Sequence, residues 1–303
     1  MALNRLDEAK SALDRGVAIG IGPEVFIPAY YNLAFLRKDE QGMQEQFALA
    51  MGKSDYEDAM LSIQSDTEAY HGRLKKGREY SRRAVDSAIR NGTMEVVAVR
   101  VVTGALWEAI FGNSAEAKKG AASAIHIAPR GRYIRGVVAL ALAVAGDNAQ
   151  AQRLAAELAK EYPQDTLLNA YWLPMIHAQI KLNRHDPTRA LEMLGRAQSY
   201  EMGIPTPHIA ALAVLYLRGY AYLGAGQNKE AAREFQRILE RPGIVLNSAT
   251  GPLAHLGLGR ALAAGGETAN ALAAYEDFFA LWKDADPDIP ILKQAKAEYE
   301  KLQ

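Results

Sequence analysis

Leu215-Tyr-Leu-Arg-Gly219-Tyr-Ala-Tyr222-Leu-Gly-Ala-Gly226-Gln-Asn-Lys-Glu-Ala231-Ala-Arg-Glu-Phe235 and His255-Leu-Gly-Leu-Gly259-Arg-Ala-Leu262-Ala-Ala-Gly-Gly266-Glu-Thr-Ala-Asn-Ala271-Leu-Ala-Ala-Tyr275 carry the same pattern 40 residues apart. Each reads as two short amphipathic helices around a glycine turn. The first helix holds a small residue (Gly219, Gly259), and the second opens on Ala231 or Ala271 and reaches an aromatic four residues on. Self-similarity at such a period signals a helical solenoid, in which a unit buries its apolar face against its neighbours. Working towards the N-terminus, the small landmark recurs at Ala178, Ala139, Ala105, Ser65 and Asn32, at intervals between 33 and 41 residues. Turn signals follow the first helices at Tyr70-His-Gly72, Phe111-Gly-Asn113 and Ala145-Gly-Asp147, where glycine takes a left-handed backbone at little cost. Ala117, Ala151 and Ala190 mark further second helices. Two of these are expected to stop before Pro129 and Pro163, since proline lacks the N–H that continues a helix.

Composition bounds the rest. In 303 residues, 49% are hydrophobic and 23% charged, enough apolar surface for one long core. Lys plus Arg equals Asp plus Glu at 35 each, without a block of one sign, so no nucleic-acid partner is expected. No run approaches the ~18 apolar residues of a membrane span, and Met1-Ala-Leu-Asn-Arg-Leu-Asp-Glu8 lacks a signal peptide's apolar segment, so this stretch is not expected to insert into a membrane. With no cysteine there is neither a disulfide framework nor a thiolate site, and the compartment stays open.

The residues Gly219, Tyr222, Gly226, Ala231 and Phe235, and Gly259, Gly266, Ala271 and Tyr275, resemble tetratricopeptide repeats over nearly the whole chain. The units near Ala178, Ser65 and Asn32 depart from that pattern, with Pro174 at a bulky position and Gly77 replacing the packing alanine. Extra residues at Pro205-Thr-Pro207 and Pro242-Gly-Ile-Val-Leu-Asn247 predict longer helix ends or loops and an irregular pitch. The resemblance implies an all-α, right-handed α-α superhelix in a single domain over 1–303. The expected division is a half-repeat at 1–19, about seven helix-turn-helix units over 24–285 and a capping helix at 288–303. Ala9 and Leu13 sit where a second helix would pack, yet its first helix is absent, so the chain is expected to begin mid-repeat as a piece of a longer protein. Carried over by position, the resemblance also implies a concave partner-binding groove lined by Asp66, Tyr70, Tyr133, Trp172, Met175, Gln179, Asn183, Tyr216, Tyr220 and Arg260. Such aromatics suit recognition, combining large contact area with a polar handle. Packing between repeats is the competing reading for each.

A narrower resemblance rests on Ala69-Tyr-His-Gly-Arg-Leu74, Tyr171-Trp-Leu-Pro-Met-Ile-His177, Ile244-Val-Leu-Asn-Ser248, Leu253-Ala-His-Leu-Gly257 and Leu281-Trp-Lys-Asp-Ala-Asp-Pro-Asp-Ile-Pro-Ile-Leu-Lys293. These phrases look like the C-terminal repeat regions of large bacterial serine/threonine protein kinases. That implies a kinase domain upstream, often with a membrane span, and repeats serving as sensor or docking platform. This stretch has no glycine-rich phosphate loop, His-Arg-Asp or Asp-Phe-Gly, so it cannot itself transfer phosphate.

Other chemistry reads weakly. Gly20-Ile-Gly22 and Gly257-Leu-Gly259 do not complete a dinucleotide loop and fit turns and close helix packing. The histidines at 71, 126, 177, 185, 208 and 255 lack the spacing that places two metal ligands on one helix face. His177 and His255 are expected inside first helices, partly buried and hydrogen-bonded. Asp284-Ala-Asp286-Pro-Asp288 could be read as a calcium loop, but it lacks the glycine and terminal glutamate, and acids before a helix cap its free amides. No catalytic residue, metal or cofactor is expected. The sequence therefore reads as a protein- or peptide-binding scaffold or sensor region, not an enzyme. A small-ligand sensor or α-helical toroid enzyme is the alternative, and a structural or self-associating spacer the third.

Overall fold

The computed structural model describes residues 1–203 and 211–303, so Pro205-Thr-Pro207 and His208 lie outside the described residues. Among the described residues there are seventeen α-helices and no strand. They are α1 (Leu6–Ala18), α2 (Ile27–Leu36), α3 (Glu40–Ala50), α4 (Glu57–Tyr70), α5 (Leu74–Arg90), α6 (Met94–Ile110), α7 (Ser114–Ile127), α8 (Arg132–Val144) and α9 (Asn148–Glu161). The second half holds α10 (Leu173–Asn183), α11 (Pro187–Gly195), α12 (Ala213–Gly224), α13 (Asn228–Leu239), α14 (Pro242–Val245), α15 (Thr250–Ala264), α16 (Thr268–Leu281) and α17 (Pro290–Glu300). Helices pair as hairpins from α2–α3 to α12–α13 and again at α15–α16, while first helices α6, α8, α10, α12 and α15 pack in succession. This is an all-α helical-hairpin solenoid among the described residues.

The repeat pattern works through small residues. Ala105, Ala139 and Ala178 on first helices, and Ala117, Ala151, Ala190, Ala231 and Ala271 on second helices, are all buried. On α13, Ala231, Phe235 and Ile238 stand at i, i+4 and i+7 and form the buried stripe. Phe235 fills a slot that two glycines open. A Cβ on Gly219 of α12 would lie 2.7 Å from its ring, and one on Gly257 of α15 would lie 2.4 Å away. Tyr275 occupies the corresponding slot beside Gly259. Gly257-Leu-Gly259 is thus a packing device. Ser65 takes the landmark position in α4, and its hydroxyl donates to the Gly77 carbonyl on α5 (2.5 Å). Five residues of π-helix, Leu168–Trp172, precede α10, where Pro174 has no N–H to offer Ala170.

The two ends of the solenoid meet. α15 packs on α4, and one apolar cluster joins Ala69, Leu74, Trp107 and Phe111 to Leu253, Leu256, Phe278, Trp282, Ile291 and Leu292. Hydrogen bonds follow the same seam. Trp282 Nε1 donates to the Tyr70 carbonyl (2.9 Å), Asp286 N–H to Gly72 (3.0 Å) and Ile291 N–H to Phe111 (3.3 Å). Asp286 Oδ2 accepts from the Lys75 amide (2.7 Å), so it caps α5 rather than the helix that follows it, as the sequence had suggested. The reason is the closure, which brings the open start of α5 within hydrogen-bond reach of Asp286. That last helix is more than a solvated cap, since Ile291, Leu292 and Ala295 are buried. At the other end α1 has no buried residue and rests on α2.

Candidate functional site

Burial changes what the first helices can offer. Val102, Met175 and Leu256, each three residues before the landmark of its first helix, are buried, and the first two belong to one cluster spanning α6 to α12. Met175 is 0% and Trp172 7% exposed, so neither lines an open groove. This corrects the expectation for those two residues. The π-turn before α10 sets Trp172 between Tyr133 and Tyr171, both edge-on to it at 5.6 and 5.4 Å, and neighbouring units complete its burial.

The other expected groove residues are half-buried and fall into separate groups. Gln179 donates to Asn183 (2.8 Å), and Asn183 Nδ2 donates to the Ala143 carbonyl and to Asn148 (both 2.7 Å), a tie between adjacent units. Tyr216 and Tyr220 sit edge-on to one another at 5.0 Å and both face Phe235. Arg260 donates to Tyr220 (2.9 Å) and forks onto Glu298 of α17 (2.8 and 3.0 Å), which also accepts from Tyr275 (2.9 Å). The Tyr133 hydroxyl is buried without a hydrogen-bond partner. Asp66 Oδ1 is buried and unpartnered too, and burial pushes its carboxyl up to about 8 against the pull of Arg100. Of the expected groove residues, Tyr70 alone lines the cleft at the seam.

That cleft encloses about 1010 Å³ where the ends meet. One wall is Phe35, Met43 and Phe47 of α2–α3, the other Leu239, Val245, Leu246 and Leu281. Tyr31, Gln64, Thr67, Tyr70, His71 and His255 form its floor. The Tyr31 hydroxyl lies 2.7 Å from Gln64 Oε1 and 2.9 Å from Thr67 Oγ1, and burial holds this phenol above its ordinary range. Tyr70 packs edge-on to Phe35 (5.1 Å) and to His71, with its phenol pushed up to about 12 by burial. His71 Nδ1 donates to the Leu281 carbonyl (3.3 Å), which leaves Nε2 as an acceptor, and burial depresses its pKa. His255 is depressed for the same reason, with Asp277 opposing. Its Nδ1 stands 3.5 Å from the Asp277 carboxylate without a hydrogen bond, unlike the hydrogen-bonded histidine expected there. The Asp277 carboxylate sits on the outer helix and is mostly exposed to water. Among the described residues no three His, Asp or Glu side chains gather to hold a metal ion, and no helix is long and apolar enough to cross a membrane.

Apart from Tyr70, sequence reasoning missed this cleft. Its walls come from opposite ends of the chain, and no local signal marks Phe35, Thr67 or Leu246 as neighbours.

No protein-family model matches the chain, and no curated protein does. Among solved structures, the crystal structure of the yeast Tom70 is similar, with a TM-score of 0.49 and 14% identity over 90% of this chain and 62% of that one. The fold assignment rests on the helix packing above.

Proposed function

We propose that this chain is a binding scaffold that takes a peptide segment of a partner protein into the cleft between its first and last units. The observation that supports this reading is the cleft itself: apolar side chains from both ends of the chain beside hydrogen-bonding groups and the charged Lys38, Glu40, Glu68, Arg73, Lys283 and Asp284, at a size that admits several residues. Apolar side chains of the partner would contact Phe35, Phe47, Leu239 and Leu281, and a backbone or side-chain amide would bond Gln64, Thr67 or His71 Nε2. The central inward face has no part in this reading, and the chain has no catalytic role in it. The kinase-like phrases support a further placement, as the sensor or docking region of a bacterial serine/threonine kinase. Sequencing the full reading frame in its source tests that placement.

A second reading, a small-ligand sensor, draws on the polar floor. Panning a random displayed peptide library on the purified chain separates the two, alongside a thermal-shift screen of small molecules. Selected peptides should lose about 2 kcal/mol of binding with Phe35→Ala or Leu281→Ala, the loss typical of a central apolar anchor. Trp172→Ala should instead lower stability. Peptides that ignore both cleft variants, or a small molecule that alone shifts the melting temperature, would count against the peptide reading.

A further inference from the structure

The turn that forms one cleft wall is held in a costly conformation. Val245–Ser248 closes with the Ser248 N–H on the Val245 carbonyl (3.0 Å), and Leu246 within it has φ 50° and ψ −132°. A leucine in that region is strained and persists only where its surroundings over-determine it. Here the surroundings belong to the far end of the chain. Asn247, 6% exposed, sends its Nδ2 across the seam to the Ile63 carbonyl (2.9 Å) and to Thr67 Oγ1 (3.0 Å) on α4. On the outer side Asn4 holds the same wall, accepting from the Gly243 amide and donating to the Glu240 carbonyl (both 3.0 Å).

Thr67 is shared. Its hydroxyl oxygen meets Asn247 on one side and the Tyr31 hydroxyl on the other, and Thr67, Tyr31 and Gln64 all line the cleft floor. We infer that Asn247 is a clasp that ties the 242–248 wall to α4 beside the cleft, loosened when a ligand group takes its place on Thr67 and leaves it the Ile63 carbonyl. Without the clasp the wall keeps its tie to Asn4, but Leu246 loses one of the contacts that hold its positive φ, and the segment beside Thr67 loosens. This inference rests on the reading of the cleft as the binding site, and it adds how access to that site is governed. A peptide amide or a hydroxyl can compete for the Thr67 oxygen, whereas an apolar side chain cannot.

Amide exchange on the full chain, without ligand, tests the clasp. Asn247→Ala removes the donor, and Thr67→Val withdraws the acceptor as a competing group would. Each should speed exchange of the Val245, Leu246 and Ser248 amides by roughly tenfold or more while α8 keeps its rates. At the wall the double variant should add little to Asn247→Ala alone, because the Asn247–Thr67 bond that Thr67→Val removes is then already gone. Asn183→Ala, which cuts an asparagine bridge away from the seam, should leave the wall amides as they were. Unchanged wall rates in both single variants, or a rise spread equally over α8, would overturn the clasp. Since no ligand enters the measurement, a wall that loosens in a chain that binds no peptide would refute the cleft reading and leave the clasp standing.

Discussion

Asp66 shows how burial changes the chemistry of a single residue. In an open groove its carboxylate would be solvated, and its pKa would stay in the ordinary range. Instead Oδ1 is buried without a partner and the carboxyl is pushed up to about 8. Between the ordinary value of 3.8 and about 8, the folded chain therefore holds a proton that the unfolded chain has released. The stability this contributes is full below 3.8 and is lost as pH rises through the folded value. Asp66→Asn, neutral at every pH, should be more stable than the parent by at least about 1 kcal/mol at pH 8, with the gap shrinking towards pH 4. Urea midpoints of both proteins at several pH values check this, and a gap independent of pH would show that the carboxyl titrates normally. The repeat register picked out Asp66 as a groove candidate, but the burial of its carboxylate was not legible, because a register assigns a position and not the packing around it.

At the scale of the helix the sequence is a good guide, and the reason is local. Ala231 and Ala271 precede Phe235 and Tyr275 by four residues, one helical turn, and glycines in the facing first helices leave room for those rings. Helix ends are equally local: α7 and α9 stop two residues before Pro129 and Pro163. Where Pro174 interrupts the pattern, the outcome was less readable, since a π-turn turns Trp172 into the core. Ala231→Leu or Ala271→Leu should overpack a site with no free volume and cost roughly 1–3 kcal/mol. Chemical denaturation decides the point. Unchanged stability in both variants would mean that the two helices of a hairpin do not meet at these alanines.

For the molecule as a whole, the decisive contacts join residues about 180 to 210 apart. Asn247 meets Thr67 and Asp286 meets the Lys75 amide at those separations, and neither pair carries a pattern that a repeat register can expose. A solenoid register describes each unit against the next, so it is silent on whether the first and last units touch. That is why the fold class was readable and the cleft was not. Packing of neighbouring units buries Met175, the seam cluster buries Leu256, and the seam holds the cleft. The Asp286 and Ile291 amides, which donate across the seam to Gly72 and Phe111, report on that closure directly. In site-resolved hydrogen exchange of the unliganded chain, both should be protected nearly as well as the amides of α8. Exchange of these two amides at the rate of exposed turns, with α8 still protected, would mean that the ends stand apart and the inward face is open.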